Sequence, residues 1–467
     1  MKRTKIIATI GPATEQKTKI RQLKEAGANA FRINMSHGDP QQWKGFIDSI
    51  REICDDSPII LDTRGPEIRL LGVTDERALK QGERLHISQR KHAHKAYFSH
   101  ALHVSKNDPV LIDDGNIETI VDEVNDTDVT LRVTKPSLLT NRRKVSIPRT
   151  QKGMPILTAE DKKDIQTCAS FGVDGYAISF TRSARDIKTV RALVGETPFL
   201  IAKIENQEGV ENIDEIIREA DAVMVARGDL GVEIPLADVP HAQKIIIKRC
   251  NEEAKPVIVA TQMLSSMRTH NRPTRAEVSD VANAILDGAD CVMLSDETAA
   301  GNYPVESVQT MAEIARKTEP YLSNPVSVKK EGLSIAESVT NSAYEMAVGI
   351  GVRAIVISTT TGKTARMISR HRPNISIIAV AHDVATRRRL QLSWGVTAIT
   401  FAHNNHNGTQ TIFESVRVAL EKKLLTKKDV IVATAGVKVL QEGLTNLIEV
   451  HTVEELFAYH DRLKKFA

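Results

Sequence analysis

The stretch IAKIENQEGV (201–210), ENIDEIIREA (211–220) and DAVMVARGDLG (221–231) decides how this chain is built. A short apolar run, a helical pattern and a second apolar run follow one another, and each apolar run ends in charge. Side chains alternate across a strand, so Lys203 and Glu205 at the end of the first run point the same way. Arg227 and Asp229 end the second, with Gly228 and Gly231 beside Asp229 where backbone is free to approach a ligand. Mg²⁺ takes one or two protein carboxylates and completes its shell with water and substrate oxygens. A lysine and two carboxylates at neighbouring strand ends therefore suit a divalent metal holding a phosphorylated acid, with Lys203 neutralising a phosphoryl group in transfer. Two surface salt bridges closing a pair of strands are the plain alternative.

Outward from this unit the same rhythm continues. Apolar runs at 6–10, 30–34, 59–62, 175–178, 200–204, 222–226, 257–260 and 291–294 read as strands. Patterns at 18–26, 158–171, 184–194, 236–253, 275–286 and 304–317 read as helices. Strands that are apolar throughout, with helices between them, indicate an α/β protein built on a closed (β/α)8 TIM barrel, with a doubly wound open sheet as the competitor.

The rhythm breaks once. From Arg69 to about Met154 the helical patterns vanish, and short alternating strands appear in LHISQ, PVLIDD, IETIVDEV and VTLRV. Barrel sites lie at the carboxyl ends of strands, so an all-β insertion after the third strand would sit over the site as a lid. From about Leu333 a second alternation begins: helix 333–349, RAIVIST, helix 363–370, SIIAVA, helix 384–393, ITF, a helix, then VIVATAG. This implies a smaller C-terminal open-sheet α/β domain. The expected boundaries are 1–69 with 153–325 for the barrel, 70–152 for the inserted lid and 326–467 for the C-terminal domain.

Bulk properties narrow the function. A chain of 467 residues is too long for one core. A net charge of +4 suits anionic small molecules and is too diffuse for nucleic acid, and 4% aromatics leave few stacking platforms. Cys54, Cys168, Cys250 and Cys291 are scattered, which reads as reduced thiols of a cytoplasmic protein. There is no apolar run long enough for a membrane span and no targeting segment, so no membrane partner is expected.

Other strand ends also carry chemistry. In FRINMSHG (31–38), Arg32, Asn34 and Ser36 share a face, and LDTRGPEIR (61–69) supplies Asp62 and Thr63, then Arg64, Glu67 and Arg69. On adjacent strands their oxygens would share a monovalent cation and their arginines a phosphate; ordinary loop polarity is the alternative. Thr261 and Gln262 end one later strand, and Ser295, Asp296, Glu297 and Thr298 end the last. Hydroxyls there position a carboxylate or relay a proton, although Thr274 and Thr298 read better as helix caps. STTTGKTAR (358–366) is a Thr-rich turn before a helix, either a phosphate site or a capped helix start. His86, His92, His94, His100 and His103 follow no zinc spacing and read as lid surface, and Arg387, Arg388 and Arg389 as a solvated helix face.

Taken together, IATIGPAT, FRINMSHG, LDTRGPEIR, IAKIENQEG, MVARGDLGVEIP, ATQMLSSM and RPTRAEVSDVANAILDGADCVMLSDETAAGNYP closely resemble the pyruvate kinase family. The likeness runs through the whole chain, in a bacterial form without the N-terminal helical extension. It implies a glycolytic phosphotransferase that converts phosphoenolpyruvate and ADP to pyruvate and ATP, requires Mg²⁺ (or Mn²⁺) and K⁺, and works as a homotetramer. By resemblance, Glu205 and Asp229 hold Mg²⁺, Lys203 and Arg32 act on the phosphoryl group, and Asn34, Ser36, Asp62 and Thr63 hold K⁺. The Gly228 and Asp229 amides and Thr261 receive the substrate carboxylate, while Arg69, His37, Asn34 and Arg143 face the nucleotide. Thr261, Ser295 or ordered water protonates the enolate.

The resemblance also sets expectations for control. Glu67 stands where K⁺-independent relatives carry a lysine, which implies a need for K⁺. Thr359, Thr360, Thr361, Gly362, Lys363 and Thr364 match an effector phosphate loop, with a sugar phosphate or AMP as candidate ligand. Three segments depart from the pattern. Asp296 replaces a usual glycine, the lid's end TNRRKVSIPRTQKGMP lacks the usual Gly-rich stretch, and ATAGVKVLQEGLTN differs from the fructose-bisphosphate-activated form. That lid segment carries Arg142, Arg143 and Lys144, basic residues expected to meet nucleotide phosphates on closure. A metal-dependent barrel lyase or aldolase would share the metal pair without needing lid, K⁺ site or C-terminal domain. A silent sensor of metabolite phosphates would have lost Lys203, Glu205 or Asp229.

Overall fold

β-Branched and small residues fill eight short runs, and each run forms a strand with no room for water on either face. They are Lys5–Ile10 (β1), Ala30–Asn34 (β2), Ile59–Asp62 (β3), Gly175–Ile178 (β4), Phe199–Ile204 (β5), Ala222–Ala226 (β6), Val257–Ala260 (β7) and Cys291–Leu294 (β8). All pair in parallel in chain order, and β8 returns to β1, closing the barrel. The open-sheet alternative is thereby excluded. The computed structural model describes residues 2–148, 154–322, 332–401, 408–436 and 445–463.

Alternation along each strand splits the core in two. Ile7, Ala30, Ile60, Ala177, Ile201, Met224, Ile258 and Met293 fill the barrel's interior. Ile6, Phe31, Leu61, Ile178, Leu200, Val223, Val259 and Val292 pack outward under the helices. At about 1.5–3 kcal/mol per fully buried large aliphatic side chain, these layers dominate the barrel's stability.

Between β3 and β4 the chain leaves to form a second closed barrel. Its strand order is Ile68–Leu71, Tyr97–Phe98, Arg84–Ser88, Asp128–Lys135, Ile117–Val124, Pro109–Ile112 and Arg143–Ser146, the last pairing back onto the first. Val110, Val121, Val129, Leu131 and Val145 form a separate apolar centre. The seven strands are thus sealed on themselves, and a separate two-stranded ribbon, Arg77–Ala78 with Leu138–Leu139, lies outside that closed barrel.

The C-terminal sheet runs Val396–Thr400, Ser376–Ala381, Ala354–Thr359, Val430–Ala435 and Leu447–Thr452, the last antiparallel. That edge strand, LIEVHT, was not legible in the sequence because it is only half-buried and mixes charge with apolar residues.

The three arginines expected on a solvated face do something else. Arg387 and Arg388 reach Asp55, Arg388 also lies 3.4 Å from Asp174, and Arg389 lies 3.3 Å from Asp221. Asp174 and Asp221 precede β4 and β6, so this short helix, Val384–Leu390, is pinned to the amino-terminal end of the barrel. Deeper in the same seam Arg372 makes a two-pronged pair with Asp290 at 2.9 and 3.0 Å.

Candidate active site

The carboxyl ends of β2, β3, β4 and β5 converge on one buried cluster of charge. Asn34 and Asp62 are direct register partners on β2 and β3. Asp62 receives Arg32 Nε at 2.6 Å on one oxygen and Lys203 Nζ at 2.9 Å on the other. Lys203 also donates to Ser179 Oγ at 2.7 Å, and Arg32 donates to Thr9 Oγ1 at 3.2 Å. Burial would raise the Asp62 carboxyl, but Arg32 and Lys203 outweigh it and hold the group below its usual range. For Lys203, burial is overcome by Asp62 and Glu205, and its ammonium is held well above the ordinary lysine value.

Glu205 is the cluster's second acid. Its Oε2 accepts the Phe180 amide at 2.7 Å. Oε1 lies 2.9 Å from Lys203 Nζ but off any hydrogen-bond direction, which leaves a buried carboxylate oxygen unsatisfied. Burial pushes the Glu205 carboxyl up, with Lys203 opposing and Asp229 adding to the rise. Asp229, one strand along, is bonded by Lys144 from the lid, and Lys144 outweighs burial to hold it below the usual carboxylate range. The exchange lifts Lys144 to about 12 against the effect of burial, and its ammonium also sits 5.1 Å from the Phe180 ring.

A buried acid oxygen whose neighbour is the Lys203 ammonium at 2.9 Å, beside a second acid held by Lys144 and, more distantly, Lys203, is a fitting donor set for a hard divalent cation. No group of three or more His, Cys, Asp or Glu side chains suited to a metal occurs among the described residues. Two protein carboxylates, with the rest supplied by substrate and water, are what this mouth offers.

Around Thr261 the backbone is strained. Thr261 and Gln262 have φ of +67° and +54°, a left-handed conformation that costs a side-chain-bearing residue roughly 1–2 kcal/mol. Arg227 holds it, donating to Thr261 O at 2.8 Å and Gln262 O at 3.3 Å while pairing with Asp280 at 2.7 Å. The Thr261 hydroxyl accepts the Gly228 amide at 2.7 Å and donates to Ala260 O at 2.6 Å. A Cβ at Gly231 would meet Leu236 at 3.2 Å, and Gly231 lines the cleft together with Gly228 and Asp229. Gly65 is required by φ +72°, and a Cβ there would strike Phe180 and Ser179 at 2.7 and 2.9 Å. A cleft of about 1000 Å³ opens beside Gly228, Asp229 and Glu233, with Asp108, Asp114 and Lys135 of the lid opposite. Burial raises Glu233 to about 8.

Other residues expected at the site lie as follows. Ser36 donates its amide to Asn34 Oδ1 at 3.0 Å, and Thr63 Oγ1 accepts the Ser179 amide at 3.1 Å. Arg69 pairs with Glu67 at 2.6 Å, while Arg143 turns to Asp113 at 3.1 Å and to Thr140. His37 is exposed; its amide donates to Asn34 O at 3.2 Å and its carbonyl accepts the Trp43 indole N–H at 2.7 Å. The Ser295 amide donates to Glu297 at 2.8 Å, and exposed Asp296 meets Arg268 at 3.3 Å. Thr274 caps its helix as expected, with Glu277 in reciprocal contact. Thr298 does not cap one: its hydroxyl donates to Thr9 O and accepts Thr9 N, sewing the last barrel connection to β1 at 2.8 and 2.9 Å.

In the C-terminal domain, Thr359 Oγ1 accepts the Gly362 amide at 3.0 Å, Thr360 O accepts the Thr386 hydroxyl at 2.9 Å, and Thr361 O accepts Arg366 at 3.1 Å. Thr364 meets Thr445 at 2.6 Å, and Lys363 opens the helix Lys363–Ser369. Residues 149–153 of the lid's end and 437–444 of the second effector-side segment lie outside the described residues.

Comparison with known proteins agrees with this arrangement. The residue pattern defining "Pyruvate kinase, barrel domain" matches 1–308, and that defining "Pyruvate kinase, alpha/beta domain" matches 337–451. A pyruvate kinase of Geobacillus stearothermophilus is 43% identical over 98% of this chain and 81% of its own length. A pyruvate kinase 2 of Synechocystis is 40% identical over 97% and 80%. Among solved structures, a pyruvate kinase from Cryptosporidium parvum superposes with a TM-score of 0.90 at 35% identity, covering 97% of this chain and 96% of that one. With its barrel, sealed insertion, C-terminal sheet and residue pattern all in accord, this chain belongs to the pyruvate kinase family.

Proposed function

We propose that this enzyme transfers the phosphoryl group of phosphoenolpyruvate to ADP, giving pyruvate and ATP, with Mg²⁺ (or Mn²⁺) and K⁺ as cofactors. The observation that carries the reading is Lys203, an ammonium fixed at 2.9 Å from both Asp62 and Glu205, with Asp229 in the first turn of the helix that follows the next strand. Glu205 and Asp229 would hold the divalent ion, which when bound neutralises phosphate charge. Lys203 supplies positive charge to the phosphoryl group in flight, and Arg32 grips the same group; such preorganised charge is where phosphoryl-transfer catalysis mostly resides. Gly228, Asp229 and Thr261 orient the carboxylate. The enolate takes its proton from Thr261, Ser295 or water. The test is ATP formation from ADP and phosphoenolpyruvate in the presence of Mg²⁺, with no cleavage of hydroxy-keto acids; the converse result overturns the reading.

Asn34, Ser36, Asp62 and Thr63 form the proposed K⁺ shell, and Glu67 leaves that region short of positive charge. Activity is expected to fall at least tenfold when K⁺ and Na⁺ are replaced by a bulky organic cation. Undiminished turnover under those conditions removes the K⁺ site from the scheme.

The loop 359–364 is proposed to bind the phosphate of a sugar phosphate or AMP, and the division 1–69 with 153–325, 70–152 and 326–467 gives catalytic, lid and regulatory parts. Sigmoidal phosphoenolpyruvate kinetics should become hyperbolic on adding one such compound; curves indifferent to the whole panel would leave the loop structural. A cytoplasmic homotetramer is the proposed working form. Four free, buried cysteines support the reducing compartment, and no described helix is long and apolar enough to cross a membrane.

A further inference from the structure

A narrow cleft runs along the seam between the barrel's amino-terminal end and the C-terminal sheet, away from the site above. It is lined by Lys255, Arg366, Arg370 and Arg372, with Asp290 the one acid among them. Arg372 uses that acid fully. Arg370 has Glu337 only at 3.9 Å and donates to Glu252 O at 3.1 Å, and Lys255 donates to Ala220 O at 2.5 Å. Neither Lys255 nor Arg366 forms a contact ion pair among the described residues, with Asp221 acting on both from farther off. Arg366 Nε, Arg370 Nε, Arg372 Nε and Ser393 Oγ are buried with no hydrogen-bond partner. Arg370 and Ser393 are 4% and 1% exposed.

Withdrawing cations from water without a counter-charge is strongly unfavourable. The strain registers on the groups themselves: burial, then Arg389, lowers Arg366 to about 10, and burial lowers Lys255 as well. The free volume of the cleft is about 10 Å³, room for one particle of roughly water size. We infer that this seam binds one small inorganic anion, of halide size, held between Lys255 of the barrel and Arg366, Arg370 and Ser393 of the C-terminal domain. A phosphate is too large unless the domains part. Arg366 also donates to Thr361 O at 3.1 Å, so the bound anion ties the 359–364 loop to the barrel.

Crystals of the full chain soaked in bromide test the placement, and chemical denaturation of the full chain in chloride against gluconate at equal ionic strength tests the energetics. An anomalous bromide peak is expected in the seam, within contact of Lys255 and Arg366. The wild-type denaturation midpoint should rise with each tenfold increase in halide above its dissociation constant, and Arg366→Met and Lys255→Met should each lose that dependence. Bromide found only at lattice contacts or on the 359–364 loop, an adventitious ion only, overturns the inference. So does an equal halide response in wild type and in whichever of the two variants folds.

Discussion

Lys203→Met is expected to reduce turnover about a thousandfold while leaving the fold intact, the magnitude typical of removing one preorganised charge from a transition state. Methionine keeps the volume of the lysine stem but presents no donor to Asp62 or Ser179 and no charge to Glu205, each of which now meets the ammonium within 2.9 Å. The loss should appear in kcat more than in KM, because developing phosphoryl charge rather than ground-state binding is what the ammonium answers. A coupled assay of ATP formation reads this directly. Turnover within tenfold of wild type would mean that Lys203 serves only as a counter-ion for its two acids.

Arg372→Met should give the largest loss of stability of any single change at the domain seam, about 3–5 kcal/mol, because it strands a buried carboxylate. Arg372 meets both oxygens of Asp290, and also Asn251 at 2.7 Å and Gly288 O at 2.6 Å. Adding Asp290→Asn to the same chain should restore part of the loss, since the stranded charge is gone, although Asp290 also accepts the Trp394 amide at 2.9 Å. Denaturant titration checks both. A single variant as stable as wild type would show the seam to be held by apolar packing alone.

How much of this was legible before the structure follows from what each residue depends on. The barrel strands were, because a strand buried on both faces writes itself as a continuous apolar run such as AVMVA or CVML. Lys203, Glu205 and Asp229 were, because they end such runs. Ser179 was missed, although it ends AISF in the same manner, because a lone serine carries no charge to draw attention. Lys144 was read only as one of several basic lid residues. Its partner Asp229 is 85 positions away, and no local pattern encodes that closure. The arginines of the Val384–Leu390 helix misled for the same reason: a charge run looks solvated until the acids that face it, Asp55, Asp174 and Asp221, are brought in by the fold. Thr298 looked like a cap because threonine at a strand-to-helix junction usually is one; here the barrel's closing seam claims its hydroxyl first.

The mouth of the barrel faces three acids with three bases: Asp62 with Arg32, Glu205 with Lys203, Asp229 with Lys144. Formally these sum to nothing. A dication arriving by itself would leave the enclosure over-positive, and a phosphorylated acid by itself over-negative. Only together, with a monovalent cation offsetting the third negative charge of a carboxylate-bearing phosphate dianion, would they restore neutrality in a place where water is scarce, so each should raise the others' affinity.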